Sequence, residues 1–131
     1  FWREDPVVAL WHAQRKRLPD RVILVRHGES EGNADHTLYR TKADNLIELT
    51  QKGRAQAIEV GKRIKRVIGD DCVEIQVSPF QRTLQTARNA RLAFNDQIIS
   101  THVDSRIREQ EFGNLQGDDF KNFREEQRGV G

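Results

Sequence analysis

The 131-residue chain contains no methionine, three prolines and a single cysteine. Cys72 alone excludes an intrachain disulfide and points to a reducing compartment. Beside a strand it reads as a small core-edge residue rather than a reactive thiol. The longest strongly apolar run, Val22 to Val25, is too short for a membrane span or a signal-peptide core, so a cytoplasmic protein with no membrane partner is expected. Neither charge sign dominates: 22 Lys and Arg face 20 Asp and Glu, a net charge of +2. That balance gives no reason to expect a nucleic-acid partner, and none is expected, while the pI of 8.9 is compatible with small anionic substrates. His12, His27, His36 and His102 lack ligand spacing, so no metal and no other cofactor is expected. There is no internal repeat and no low-complexity tract. With 36% hydrophobic and 32% charged residues, the chain is polar but able to bury the core of one domain. The missing initiator methionine and the abrupt ends at Phe1 and Gly131 lead to the expectation that these residues are part of a longer protein.

What is present is organised around Val22-Ile23-Leu24-Val25-Arg26-His27-Gly28-Glu29-Ser30. Four apolar β-formers predict a buried strand. Arg26 and His27 follow at its end, and Gly28 lets the backbone turn sharply. In open α/β sheets that edge is where ligands bind. Residues 1–20 read as a helical extension, with Asp5-Pro6 at its start, Arg15-Lys16-Arg17 in its last turn and Pro19-Asp20 as the break. Residues 31–48 are polar and irregular, a loop with at most a turn of helix. Thr50 starts a helix whose apolar face is Ala57, Ile58, Gly61, Ile64 and Ile68, with Lys62, Arg63, Lys65 and Arg66 outward. Gly61 implies close packing of that helix on a sheet, and Gly69 closes it. Val73–Val77 alternates as a second strand. Ser78, Pro79 and Gln81 form a capping-box pattern for a helix reaching about Phe94. Ile98–Val103 is the third strand, in which His102 is a structural residue. Residues 106–117 form a charged loop, and 118–128 a short helix with Phe120 and Phe123 on one side. The order strand, helix, strand, helix, strand predicts an α/β fold with a largely parallel sheet.

Two strand-to-helix junctions carry arginines, Arg26 and Arg82. Neighbouring parallel strands end at one sheet edge, so both guanidinium groups and a helix N-terminus converge there on a site suited to phosphate. A neutral His27 imidazole, with one ring nitrogen held as a donor to backbone, would direct a lone pair at that anion and attack phosphorus in line. Departure of an alkoxide needs a proton from a carboxylic acid. Glu109 is a candidate, not separated from Glu111 or Glu29 by these considerations.

Arg26-His27-Gly28-Glu29-Ser30 with Gly32-Asn33, then residues 49–57, then Ser78-Pro79-Phe80-Gln81-Arg82-Thr83-Leu84-Gln85-Thr86-Ala87, then residues 106–113, resemble in order four motifs of the histidine phosphatase superfamily, in its phosphoglycerate-mutase-like branch. The resemblance covers roughly residues 21 to 117. It implies a three-layer α/β sandwich with a largely parallel central sheet, present in residues 21–131 as the N-terminal part of such a domain and incomplete at its C-terminus. It implies His27 as the phosphorylated nucleophile, Arg26, Arg82 and Asn33 as phosphate ligands, Glu109 as proton donor, Ser30 lining the pocket and the Gly28 carbonyl orienting the histidine ring. It further implies hydrolysis of a phosphorylated small molecule. The alternatives are mutase transfer on a sugar acid, or a non-catalytic domain that keeps the fold. The family carries a second histidine, before a glycine, at the end of a later strand; none of the other histidines of this chain stands there. Either further chain supplies that pocket wall or a relative has lost it, and the intact motifs favour the first. Residues 1–131 alone are expected to turn over little or no substrate. The oligomeric state is left open by the sequence.

Overall fold

The computed structural model describes Val7 and residues 18–109. Most of the N-terminal helix, His12, Glu111 and the helix expected over 118–128 lie outside the described residues. Val7 is helical and exposed, and Leu18 to Asp20 are exposed.

The elements that position the site are a helical turn α1 (Glu31–Ala34), the long helix α2 (Gln51–Ile68), strand β1 (Val73–Val77), helix α3 (Gln81–Ala90) and strand β2 (Ile98–Val103). The two strands pair in parallel, with Val77 opposite Val103, as a strand–helix–strand unit requires. Helix α2 begins where the sequence places it. Thr50 is its N-cap and accepts the Gly53 N–H at 3.0 Å. Gly69 ends it at φ 57°, the left-handed region that favours glycine. The buried apolar residues include Ile47, Leu49, Ala57, Ile68, Val77, Phe80, Ala90 and Phe94. They fill the space between α2, α3 and the loop before α2, with β1 packed against α3.

Five expectations are corrected. Residues 22–25 form no strand, and Leu24 is 92% exposed. The segment is tethered at both ends to α2. Arg21 Nη1 donates to the Val67 carbonyl at 2.8 Å, and Gly28 packs on Gly53. Seven extended residues span about 23 Å and fourteen helical residues about 21 Å. The segment therefore runs out along α2, where no described strand offers its backbone a ladder of hydrogen bonds. Second, Gly61 packs on a helix, not a sheet: a Cβ there would lie 2.0 Å from the Ala90 carbonyl oxygen of α3. Third, α3 starts at Gln81 with Phe80 as N-cap and no side-chain cap. The Ser78 hydroxyl accepts only the Phe80 N–H, at 3.5 Å, and Thr83 Oγ1 lies 2.8 and 2.7 Å from the Ser78 and Phe80 carbonyl oxygens, between which its single proton is shared. Fourth, residues 31–48 hold more than one turn, with 3-10 turns at His36–Arg40 and Asp44–Leu46 after α1. Asp35 starts the first by accepting the Thr37 N–H. Fifth, Cys72 and His102 are exposed, and so is Ile58 of the expected apolar face of α2. Cys72 precedes the first residue of a two-stranded sheet, and nothing among the described residues covers it.

Candidate active site

The loop 26–30 is held by helix ends rather than by a sheet edge. Gly28 and Gly53 approach so closely that a Cβ on Gly28 would lie 2.3 Å from the Gly53 carbonyl oxygen. A Cβ on Gly53 would lie 2.0 Å from the Glu29 oxygen. Gly28 has no positive φ, so its role is close approach and not a left-handed turn. The Thr50 N–H donates to the Glu29 carbonyl at 3.0 Å and Ser30 bridges to Leu49. These contacts dock the loop on the start of α2.

His27 Nδ1 lies 2.7 Å from the Gly28 carbonyl oxygen. A carbonyl only accepts, so Nδ1 carries a proton, and in the neutral ring the lone pair is on Nε2. Arg26, His27, Gly28 and Asn33 line one cleft of about 230 Å³, together with Glu29 and Gln56. A second cleft, about 350 Å³, shares Arg26, His27 and Gly28 and extends over Val60, Arg63 and Thr86. Ser30 lies beneath, fully buried, as the N-cap of α1 in a capping box with Asn33. Asn33 Oδ1 accepts from the Ser30 N–H at 3.0 Å. The Asn33 carbonyl oxygen is thus committed, and its amide donors remain to serve the cleft.

Arg82 and Glu109 do not line these clefts. Arg82 is 3% exposed, on α3. Its Nη1 donates to the Asp44 carbonyl at 2.8 Å and to Asp44 Oδ1 at 2.7 Å, and Nη2 reaches Oδ2 at 3.4 Å. The guanidinium also lies 4.9 Å from the Phe80 ring centre, a cation–π distance. Two of the five guanidinium N–H groups are left for another acceptor. Burial raises the Tyr39 phenol above its ordinary pKa; Arg82 opposes this, and Asp44 and Glu109 add to it. Tyr39 thus gathers Arg82, Asp44 and Glu109 within electrostatic reach. Its ring also packs on Gly32, where a Cβ would lie 2.7 Å from Tyr39 Cζ. This second group adjoins the first through α1.

Glu29 separates from the other acid candidates. Hydrogen bonds from Lys52 at 2.9 Å and Thr50 at 3.0 Å hold its carboxyl below the ordinary carboxylate pKa. A carboxylate so held is a poor proton donor at neutral pH. Glu111 lies outside the described residues. Asp44, Tyr39, Gln56 and Thr86 were missed by sequence reasoning. A buried arginine demands a carboxylate partner, but the sequence holds 20 acidic residues and no spacing rule points across 38 residues to Asp44. Among the described residues no cluster of ligands could hold a metal ion, and no helix is long and apolar enough to cross a membrane.

The profile of the histidine phosphatase superfamily (branch 1) matches residues 22–130. A phosphoglycerate mutase-like protein of Arabidopsis thaliana is 44% identical over 113 residues, which are 79% of this chain and 40% of that protein. A 2,3-bisphosphoglycerate-dependent phosphoglycerate mutase of Staphylococcus haemolyticus is 33% identical over 114 residues, 82% of this chain and 47% of that one. Among solved structures, the phosphoserine phosphatase of Entamoeba histolytica in complex with 3-phosphoglyceric acid is similar at a TM-score of 0.52 and 32% identity. That likeness covers 76% of this chain and 44% of the other. The chain thus spans less than half the length of each of these relatives.

Proposed function

Because the chain belongs to the histidine phosphatase superfamily, branch 1, we propose that its protein hydrolyses phosphomonoesters through a phosphohistidine formed on His27. The observation that carries this reading is the 2.7 Å bond from Nδ1 to the Gly28 carbonyl, made in a cleft that His27 shares with Arg26. It leaves Nε2 as a nucleophile beside a guanidinium. Arg26 and the Asn33 amide, which line the His27 cleft, hold phosphoryl oxygens; Arg82, turned toward Asp44 in this structure, joins them through its two remaining N–H groups once substrate draws it from that loop. Nε2 attacks phosphorus in line, so the P–N bond forms as the ester P–O bond breaks. Glu109 gives its proton to the departing alkoxide. As a carboxylate it then takes a proton from water, whose oxygen attacks phosphorus; the P–N bond breaks, and orthophosphate and free His27 result. The arginines neutralise charge as it moves across the phosphoryl group.

The test uses the full-length protein. Acid-labile labelling from a labelled phosphomonoester is expected on wild type and absent from His27→Ala. Equal labelling of the variant, or none of wild type, defeats the reading. Release of inorganic phosphate without interconversion of 2- and 3-phosphoglycerate separates hydrolysis from the transfer named in the bacterial relative.

A further inference from the structure

His27 owes its tautomer to a glycine carbonyl, and a glycine carbonyl is a poor anchor unless something fixes it. Gly28 lacks a Cβ and can rotate through a wide φ/ψ range. Its two flanking peptide groups are both pinned. The peptide before it donates its N–H to Thr86 Oγ1 at 3.2 Å. The peptide after it, which carries the Gly28 carbonyl, donates the Glu29 N–H to Gln56 Oε1 at 2.8 Å. Thr86 is itself held: it is 5% exposed and its hydroxyl donates to the Arg82 carbonyl at 2.8 Å. With its proton so committed, Oγ1 presents only lone pairs to Gly28, in the role this contact needs.

We propose that Thr86 is the positioning residue of the nucleophile, with Gln56 as its counterpart on α2. By fixing both peptides around Gly28 the pair aims the carbonyl that holds Nδ1–H, and so keeps the lone pair on Nε2. The Thr86 hydroxyl also ties the loop to the backbone of Arg82, so nucleophile and anion-binding helix move as one piece. The catalytic consequence rests on the proposed hydrolase reading. The tautomer consequence does not.

The full-length protein, its Thr86→Val, Thr86→Ser and Gln56→Leu variants, and His27→Ala as the assignment control are compared by two readouts. Nitrogen-15 NMR of the His27 ring reports which nitrogen is protonated. Rapid-quench labelling reports the rate of phosphoenzyme formation. Thermal unfolding verifies that each variant is folded. Thr86→Val is expected to mix the two tautomers and to slow phosphoenzyme formation by up to about 100-fold, the cost of misplacing a reacting group by about 1 Å. KM should change less than kcat. Thr86→Ser restores both readouts, and Gln56→Leu reproduces the tautomer mixing. A wild-type ring spectrum in a folded Thr86→Val overturns the proposal, as does a loss of rate that Thr86→Ser fails to restore. If Thr86→Val does not fold, the ring spectra of Thr86→Ser and Gln56→Leu decide. A wild-type protein that is never labelled overturns the hydrolase reading and leaves the ring spectra to judge Thr86.

Discussion

Replacing Asp44 with alanine would strand the Arg82 guanidinium in the interior with three hydrogen bonds reduced to one. The side chains are 4% and 12% exposed for Arg82 and Asp44, and the shortest contact is 2.7 Å. At an effective dielectric near 20 the gross attraction at that distance is about 6 kcal/mol, much of it cancelled by desolvation. Removing one partner of a buried pair costs about 3–5 kcal/mol because a charge is left unpaired. The residual exposure of Asp44 puts Asp44→Ala near the lower end, about 3 kcal/mol. Asp44→Asn keeps an acceptor and the backbone bond to Arg82, and should cost about half as much. Urea unfolding of the full-length protein, with Arg82→Met and the double variant completing a cycle, gives the coupling directly. A coupling of about 2 kcal/mol or more is expected, since the double variant leaves no unpaired guanidinium. Under the proposed function a second effect follows. With its countercharge gone, Arg82 in Asp44→Asn should bind orthophosphate more tightly than in wild type by competition assay. Asp44→Ala within about 0.5 kcal/mol of wild type, the scatter of surface substitutions, or a cycle that closes additively, would refute the reasoning.

Gly61→Ala sets two effects against each other. Alanine gains about 1 kcal/mol of helix propensity, but its Cβ would lie 2.0 Å from the Ala90 carbonyl oxygen. Backbone must move to admit it, so net destabilisation by about 1–3 kcal/mol is expected by denaturant unfolding; a stabilised variant would show that α2 and α3 pack less closely. Gly69→Ala meets nothing within 4 Å, yet its φ of 57° should cost about 1–2 kcal/mol, measured in the same way. The Asp104 carboxyl is lowered to about 2 from 3.8, chiefly by its hydrogen bond from Arg106. A depressed carboxylate stabilises the fold above its unfolded value and loses that contribution as pH falls from about 3.8 toward 2. Acid unfolding of Asp104→Asn should therefore be shallower across that window, and high salt should narrow the difference because the pair is exposed. Glu29 and Glu31, lowered first of all by Lys52 and Lys42 respectively, should titrate below 4.5 by carboxyl carbon-13 NMR.

Local chemistry made much of the fold legible. Val73–Val77 and Ile98–Val103 alternate or run apolar between turn residues, and both are strands at those bounds. Thr50 and Gly69 delimit α2 because a hydroxyl cap and a left-handed glycine have few other uses at such spacing. Residues 22–25 failed because strand character is not local. The apolar run specifies an extended backbone and an affinity for burial, but a strand also needs a neighbour to complete its hydrogen bonds. Gly61 failed for a related reason. A glycine on a helix face announces close approach of another backbone without saying whether that backbone belongs to a sheet or to α3.

The site divides along the same line. Arg26, His27, Gly28 and Asn33 are close in sequence, and a short loop docked on one helix end must bring them to one cleft. Arg82 belongs to the same reading by residue type, but its present partner is set by the loop carrying Asp44. The two groups meet through α3: Arg82 faces Asp44, and one turn later Thr86 receives the Gly28 N–H. A helix is stiff over one turn, so displacement of Arg82 by a bound anion would be felt at Gly28 through the Arg82 carbonyl and the Thr86 hydroxyl. Under the proposed function, occupancy of the anion site and direction of the nucleophile are then linked through the two hydrogen bonds of Thr86. A threonine accepts and donates at once and so makes both bonds, whereas a valine at that position would make neither.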